Sequence, residues 1–198
     1  MAGSYHHGNL REALVTAGVS ILGRDGAEAV TLRAVAREAG VSHAAPYSHF
    51  RDRDDLLAAV AVPGLRELTG RLRSAVVTCE GDGPDRIRAF GRAYVEFAIE
   101  RPDAYRLVFD SGLASPGLDE VSDLAFAILR RAVEAGQASG SVARGPSAGL
   151  ATFAWASLHG LATLFVDRRL DIDEGPIRDR LVSYLTGLVL DGIRKRET

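Results

Sequence analysis

The chain has 198 residues, with 24 basic and 26 acidic side chains for a net charge of −2, and 46 % apolar against 25 % charged residues. These proportions exclude wholesale disorder and fit one large domain or a small domain fused to a larger one. Near-neutral charge excludes a protein that coats nucleic acid through bulk positive charge, though not a local contact surface, and a single cysteine, Cys79, excludes a disulfide scaffold or a cysteine zinc cluster.

Apolar residues recur at three- and four-residue steps almost throughout, so the chain reads as all-α. Breaks fall at clusters of Gly, Pro, Ser and Asp. The first helix carries Leu10, Leu14, Ala17 and Ile21 on one face and ends near Gly23 and Gly26. The second starts at Thr31, a good N-cap, and places Leu32, Val35, Ala36 and Ala39 on one stripe. Gly40 follows, suited to a turn that needs a positive φ. Ser42 is placed to cap a short third helix ending near Phe50. Asp52 caps a fourth, which runs to about Cys79. Further helical patterns cover about 84–100, 103–109, 118–137, 147–168 and 176–196, which makes nine in all. Within the fourth, Pro63-Gly64 puts two breakers side by side. Proline removes the bond to the Ala59 carbonyl at about 3 kcal/mol, and glycine adds about 1 kcal/mol. The pair predicts a kink or short interruption near residues 60–64, and with it a possible hinge.

The stretch from Thr31 to Phe50 carries the chemistry: a capped helix of about two turns, a glycine turn and a second short helix, the pattern of a helix-turn-helix. Val35, Ala36, Val41, Pro46 and Phe50 face inward. Ala44, Ala45, Tyr47 and Ser48 are left on the outer face, with histidines beside them. Solvent faces normally carry Lys, Glu and Arg. Small side chains instead let a helix sit deep in a major groove, where Ala can touch a thymine methyl.

The segment from Tyr5-His-His-Gly-Asn-Leu-Arg through the helix-turn-helix to Tyr47-Ser-His-Phe-Arg-Asp-Arg-Asp-Asp-Leu-Leu57 resembles the TetR-type transcriptional regulators. Arg101-Pro-Asp-Ala-Tyr-Arg-Leu-Val-Phe109 and Trp155-Ala-Ser-Leu-His-Gly160 look like the subgroup whose regulatory domain is named for its Trp, His and Gly. The resemblance implies about nine helices, with a DNA-binding domain over 1–56 and a helical regulatory, ligand-binding and dimerisation domain over 57–198. It implies DNA contacts at Thr31, His43, Ala44, Ala45, Tyr47, Ser48, His49 and Arg53. Arg53 stands where the family usually has a phosphate-contacting lysine. Thr31, Tyr47 and His49 suit phosphates, and His43 suits a base edge. Arg33 and Ser42 complete the expected DNA-binding set. The outer face holds no Arg, Gln or Asn, the usual readers of guanine and adenine, so methyl contacts and DNA shape are expected to carry much of the specificity. Residues 1–56 hold six arginines against seven acids, net −1. Nonspecific affinity should therefore be modest and rest on Arg11, Arg33, Arg37, Arg51 and Arg53. His6-His7 falls in an N-terminal arm, either near DNA or simply solvated. Adjacent histidines cannot both bind one metal ion in helical or strand geometry.

Aromatic residues concentrate between 86 and 165. Phe90, Tyr94, Phe97, Tyr105, Phe109, Phe126, Trp155 and His159 read either as helical core or, as the resemblance implies, as the walls and polar tips of a cavity for a small apolar effector. The last two helices carry Leu158, Leu161 and Phe165, and Leu181, Leu185 and Leu188. Such stripes can pack within one chain, and in the family they form a four-helix dimer interface.

No phosphate-binding glycine loop, zinc-binding His-Glu-x-x-His or nucleophile elbow is present, and no cofactor or metal is expected. The longest clean apolar run, Leu56 to Val62, is far shorter than the roughly 20 residues of a bilayer span. The first residues lack the pattern of a secretory signal, so the cytoplasm is the expected compartment. The leading reading is a ligand-responsive dimeric repressor on a pseudo-palindromic operator. The alternative is a helical adaptor that no longer reads DNA.

Overall fold

The computed structural model describes residues 7–109, 112–170 and 176–193. Among them run eight α-helices: α1 His7–Asp25, α2 Leu32–Glu38, α3 Arg53–Thr78, α4 Gly83–Glu100, α5 Pro102–Phe109, α6 Pro116–Ser139, α7 Ser147–Val166 and α8 Pro176–Ile193. Two 3-10 turns, Ala27–Ala29 and Ala45–Ser48, join them. The one β feature among the described residues is an isolated bridge at Val142.

The short third helix expected between Ser42 and Phe50 is instead the four-residue 3-10 turn Ala45–Ser48. Pro46 explains the change. It has no amide to donate to Ser42 and disfavours α geometry at Ala45 before it. Short i→i+3 bonds take over, from the Ala45 amide to the Ser42 carbonyl at 3.0 Å and from the Tyr47 amide to the Ala44 carbonyl at 3.3 Å. Ser42 contributes its carbonyl, and no side chain caps the turn.

The chain divides into two compact units. One holds the residues up to Arg66 together with Asp103–Val121; the other holds Glu67–Pro102 and the residues from Ser122 on. In the first unit, Leu14, Ile21, Val30, Val35, Ala36, Phe50, Leu56 and Val60 are at most 3 % exposed. α1 and α3 touch at Gly18, where any Cβ would overlap the Val60 side chain. The caps read from the sequence are in place. Thr31 accepts the Ala34 amide at 3.1 Å, Asp52 accepts the Asp55 amide at 2.8 Å, and Gly40 turns the chain at φ 68°.

In the second unit α4 packs against both α7 and α8, which also pack on each other. The three helices meet at Gly91, where a Cβ would lie 2.8 Å from Leu158 Cδ2 and 3.2 Å from Thr186 Cγ2. Thr186 is buried there, and its hydroxyl donates to the Val182 carbonyl at 2.8 Å.

α3 is helical without interruption through Pro63-Gly64, so of the expected kink or short interruption near residues 60–64 the interruption does not occur. Burial of Leu56, Leu57, Val60, Leu65 and Leu68 along the same helix, at roughly 1.5–3 kcal/mol for each large apolar side chain, outweighs the two breakers. Ala59 and Pro63 both line an open cleft of about 730 Å³ in the first unit, beside Arg11, Arg66 and Gly117, at a place water reaches. Among the described residues one helix, α7, is long and apolar enough to cross a membrane by length and composition, with a mean hydropathy of 1.4. Thr, Ser, His and Gly interrupt its apolar pattern, so it holds no unbroken apolar run as long as Leu56 to Val62.

Candidate nucleic-acid interface and aromatic cluster

The helix-turn-helix is built outward from three buried anchors, Val35, Ala36 and Phe50. α2 and the turn Ala45–Ser48 pack on each other, with Pro46 buried between half-buried Ala45 and exposed Tyr47. The alternation leaves Ser42, His43, Ala44, Tyr47 and Ser48 exposed and Ala45 and His49 half-buried. Tyr47 stands 58 % exposed, an aromatic ring with a polar tip that this chain's own packing does not cover. Ser48 turns its hydroxyl back to donate to the Ala45 carbonyl at 2.8 Å, so toward a partner it offers an acceptor rather than a donor.

The six arginines of residues 1–56 are sorted by their partners. Arg33 and Arg37 are exposed on α2. Arg11 lays its guanidinium over the Phe50 ring, 5.2 Å from the centroid. Arg24 bonds Glu38 at 3.3 and 3.4 Å and Asp25 at 2.9 Å, and these carboxylates, Glu38 foremost, raise its pKa. Arg51 pairs with Asp55 at 3.6 Å. Arg53 donates from Nε to the Val30 carbonyl at 2.9 Å and from Nη2 to the Ala27 carbonyl at 2.7 Å. Nothing in the sequence signals these last bonds, because the acceptors are main-chain atoms 26 and 23 residues earlier. His6 lies outside the described residues, and His7 is described in its backbone only.

The eight residues expected around an effector are divided between the two units. In the second, Trp155, His159, Tyr94 and Phe90 form a chain of rings with successive centroids 5.5, 6.4 and 6.3 Å apart. The Tyr94 hydroxyl and His159 Nδ1 share a hydrogen bond of 3.0 Å. Phe90, Tyr94 and Phe97 are at most 2 % exposed, and Arg71 covers the Phe97 ring at 5.5 Å. Phe126, Trp155 and His159 are half-buried. Tyr105 and Phe109 belong to the first unit and pair with each other at 4.9 Å.

Of the residues expected at a dimer interface, Leu158 is 1 % exposed and fills the space over Gly91, so it belongs to the chain's own core and is not free to meet a second copy. Leu161, Phe165, Leu181 and Leu185 are half-buried, and Leu188 is exposed. Sequence reasoning missed the outward stripe of α7: Phe153, Ser157, Gly160 and Leu164 follow at steps of four, three and four, with Phe153 and Leu164 exposed. Ile177, Leu181, Tyr184 and Leu188 repeat those steps on α8, and Ile177 and Tyr184 are more than 60 % exposed.

Comparison with known proteins bears on both units. Residues 14–60 match the model of bacterial regulatory proteins of the tetR family, and residues 87–187 match the tetracyclin repressor-like C-terminal domain. The chain is 26 % identical over 188 residues to an HTH-type transcriptional regulator, YobS, of Bacillus subtilis, covering 93 % of this chain and 95 % of that protein. It is 31 % identical over 86 residues to a nicotine-responsive transcriptional repressor, HdnoR, of Paenarthrobacter nicotinovorans, covering 43 % of this chain and 42 % of that one. Among solved structures, a protein of unknown function from Rhodococcus sp. RHA1 superposes with a TM-score of 0.81 at 36 % identity, over 98 % of this chain and all of the other.

Proposed function

The chain belongs to the tetR family of bacterial regulatory proteins, and we propose that it is a repressor that binds a pseudo-palindromic operator as a homodimer and leaves it when a small apolar effector binds. It is a DNA-binding transcriptional regulator, of a family whose members are not enzymes. The observation that carries the reading is the helix-turn-helix face, where Tyr47 and small neighbours stand exposed over a buried Pro46 and Phe50. Four residues in a 3-10 turn read too few bases for specificity alone, so two copies related by a dyad supply the rest. Thr31, Arg33, Tyr47, His49 and Arg53 hold phosphates in this reading. His43 with Ala44, Ala45 and Ser42 meets base edges, and Ser48 offers its oxygen as an acceptor. DNA binding resides in residues 1–56 and regulation in 57–198. Action on chromosomal DNA places the protein in the cytoplasm.

The outward stripes of α7 and α8 support the dimer. They bring aliphatic and aromatic side chains to the surface, with Gly160 allowing close helix approach, as in homodimer interfaces. The same stripes account for the apolar character of α7 without a bilayer. The Trp155–His159–Tyr94–Phe90 ring chain supports an effector site of the Trp-His-Gly kind. HdnoR, which is similar to part of this chain, is a nicotine-responsive repressor, a precedent for a small-molecule effector. An effector acts at a distance only by favouring one of two conformations.

Mobility-shift titration of the full-length protein against duplexes flanking its own gene tests the reading. We expect a specific complex containing two chains per site. Absence of any sequence-selective complex, on these duplexes and on a random-sequence library, would leave a helical adaptor.

A further inference from the structure

We propose that Arg53 is a positioning residue of the helix-turn-helix, a clamp that fixes the approach to α2 while offering its remaining donors to DNA; the inference rests on the DNA-binding reading above. A guanidinium has five N–H donors in a rigid planar fork. Two are engaged: Nε on the Val30 carbonyl at 2.9 Å and Nη2 on the Ala27 carbonyl at 2.7 Å. Those carbonyls bracket the turn Ala27–Ala29, and Val30 immediately precedes the N-cap Thr31. The Ala27 carbonyl also accepts the Val30 amide at 3.2 Å, so a single oxygen closes the turn and receives the arginine. At the other end of the clamp, Arg53 is the first residue of α3, directly after the cap Asp52, whose carboxylate holds the Asp55 amide. One side chain therefore ties together the two backbone segments that enter and leave the helix-turn-helix.

Arg53 is itself exposed, and the two carbonyl bonds leave three of the five N–H groups of its fork. With the fork held at two points, the remaining edge points in one direction rather than sweeping as a flexible cation would. A lysine carries the same charge as three donors on a mobile stem and cannot grip two carbonyls in one plane. The substitution Arg53→Lys thus separates charge from clamp.

The experiment uses the full-length protein, a duplex it selects from a random-sequence library, and a duplex of unrelated sequence. Affinities are measured across a salt series, and amide exchange is followed at Val30. For Arg53→Lys we expect about tenfold weaker binding to the selected duplex, comparable to the loss of a hydrogen bond or two. The salt slope should stay unchanged because the charge is kept, the affinity for the unrelated duplex should fall less than that for the selected one, and the Val30 amide should exchange faster. For Arg53→Ala the slope should also fall by about one per half-site. A Lys variant that binds the selected duplex as tightly as wild type overturns the clamp. So does one whose Val30 amide exchanges no faster, since Arg53 then acts only as a charge. A wild-type protein that selects no duplex overturns the DNA-binding reading together with the inference, whereas selective wild-type binding with an indifferent Lys variant overturns the inference alone.

Discussion

Two surfaces of this protein expose aromatic side chains, and they do so in opposite ways. On the helix-turn-helix a single ring, Tyr47, stands among alanines, a serine and histidines, above a turn closed by its own hydrogen bonds. On α7 and α8 the exposed groups are Phe153, Leu164, Ile177, Tyr184 and Leu188, in stripes at helical spacing. A lone amphipathic ring on a small-residue platform gains by touching a polar, grooved partner. Repeated aliphatic side chains on water gain only by covering one another. The first surface therefore predicts nucleic acid and the second predicts another copy of itself.

Removing the second surface should have the largest effect. Leu188 and Tyr184 are exposed, so replacing both with Glu leaves the core intact while placing charge in the proposed interface. We expect sedimentation at the mass of one chain and operator affinity lowered on the order of a hundredfold, because two half-sites no longer act together. Half-buried Leu185 is a poorer probe, since a charge there would also harm the fold. A double variant that still sediments as a dimer removes the α7–α8 face from consideration.

Tyr47→Ala isolates the first surface. At 58 % exposure the ring adds little to folding, so the melting temperature and the dimer mass should stay put. Operator affinity should fall about tenfold, on the scale of one good contact. Tyr47→Phe divides that loss between ring and hydroxyl. Unchanged affinity in the Ala variant would turn the lone ring into an ordinary exposed residue.

The two surfaces also differ in how far they could be read from sequence. Thr31, Gly40 and Asp52 announce the helix-turn-helix because caps and positive-φ turns are local chemistry, decided within four residues. The same locality, through Pro46 and its missing amide, makes the element after Gly40 a 3-10 turn. α7 is apolar nearly all round, so periodicity alone cannot say which side faces in. That is settled by Gly91 on α4, which admits Leu158 and leaves Phe153 and Leu164 outside. Pro63 leaves the helix uninterrupted for a related reason. Its penalty is local and legible, while the burial that overrides it comes from residues distant in sequence. The bonds of Arg53 to Ala27 and Val30 have no sequence signature at all.

Thr31→Ala tests whether the first surface depends on its local cap. Loss of the bond to the Ala34 amide should cost about 1 kcal/mol. In a chain of this size that lowers the melting temperature by roughly 2–4 °C. Thr31→Ser keeps the oxygen and should restore most of it. Operator binding measured below the transition should weaken further in the Ala variant if the hydroxyl also meets a phosphate. Equal affinity of the Ala and Ser variants would confine Thr31 to capping.

Inside the second unit the expected loss is no larger, and there Tyr94 and His159 decide whether the ring chain is only core. Their hydrogen bond, 3.0 Å long, joins α4 to α7. Tyr94→Phe keeps the buried ring and its stacking on Phe90 and removes that bond, at about 1 kcal/mol. A melting shift of roughly 2–4 °C is the corresponding expectation. His159→Phe removes the same bond from the other side, so the double variant should melt little below the worse single one if the pair acts as a unit. Losses that simply add would mean that each group relies on other neighbours. The comparison extends to function: as polar tips of an effector site, these groups should alter how a bound effector changes operator affinity, with the affinity of the effector-free protein left alone. A change in effector-free operator binding in either single variant would instead make the pair part of the scaffold behind the α7–α8 face, and would move the effector reading to other residues.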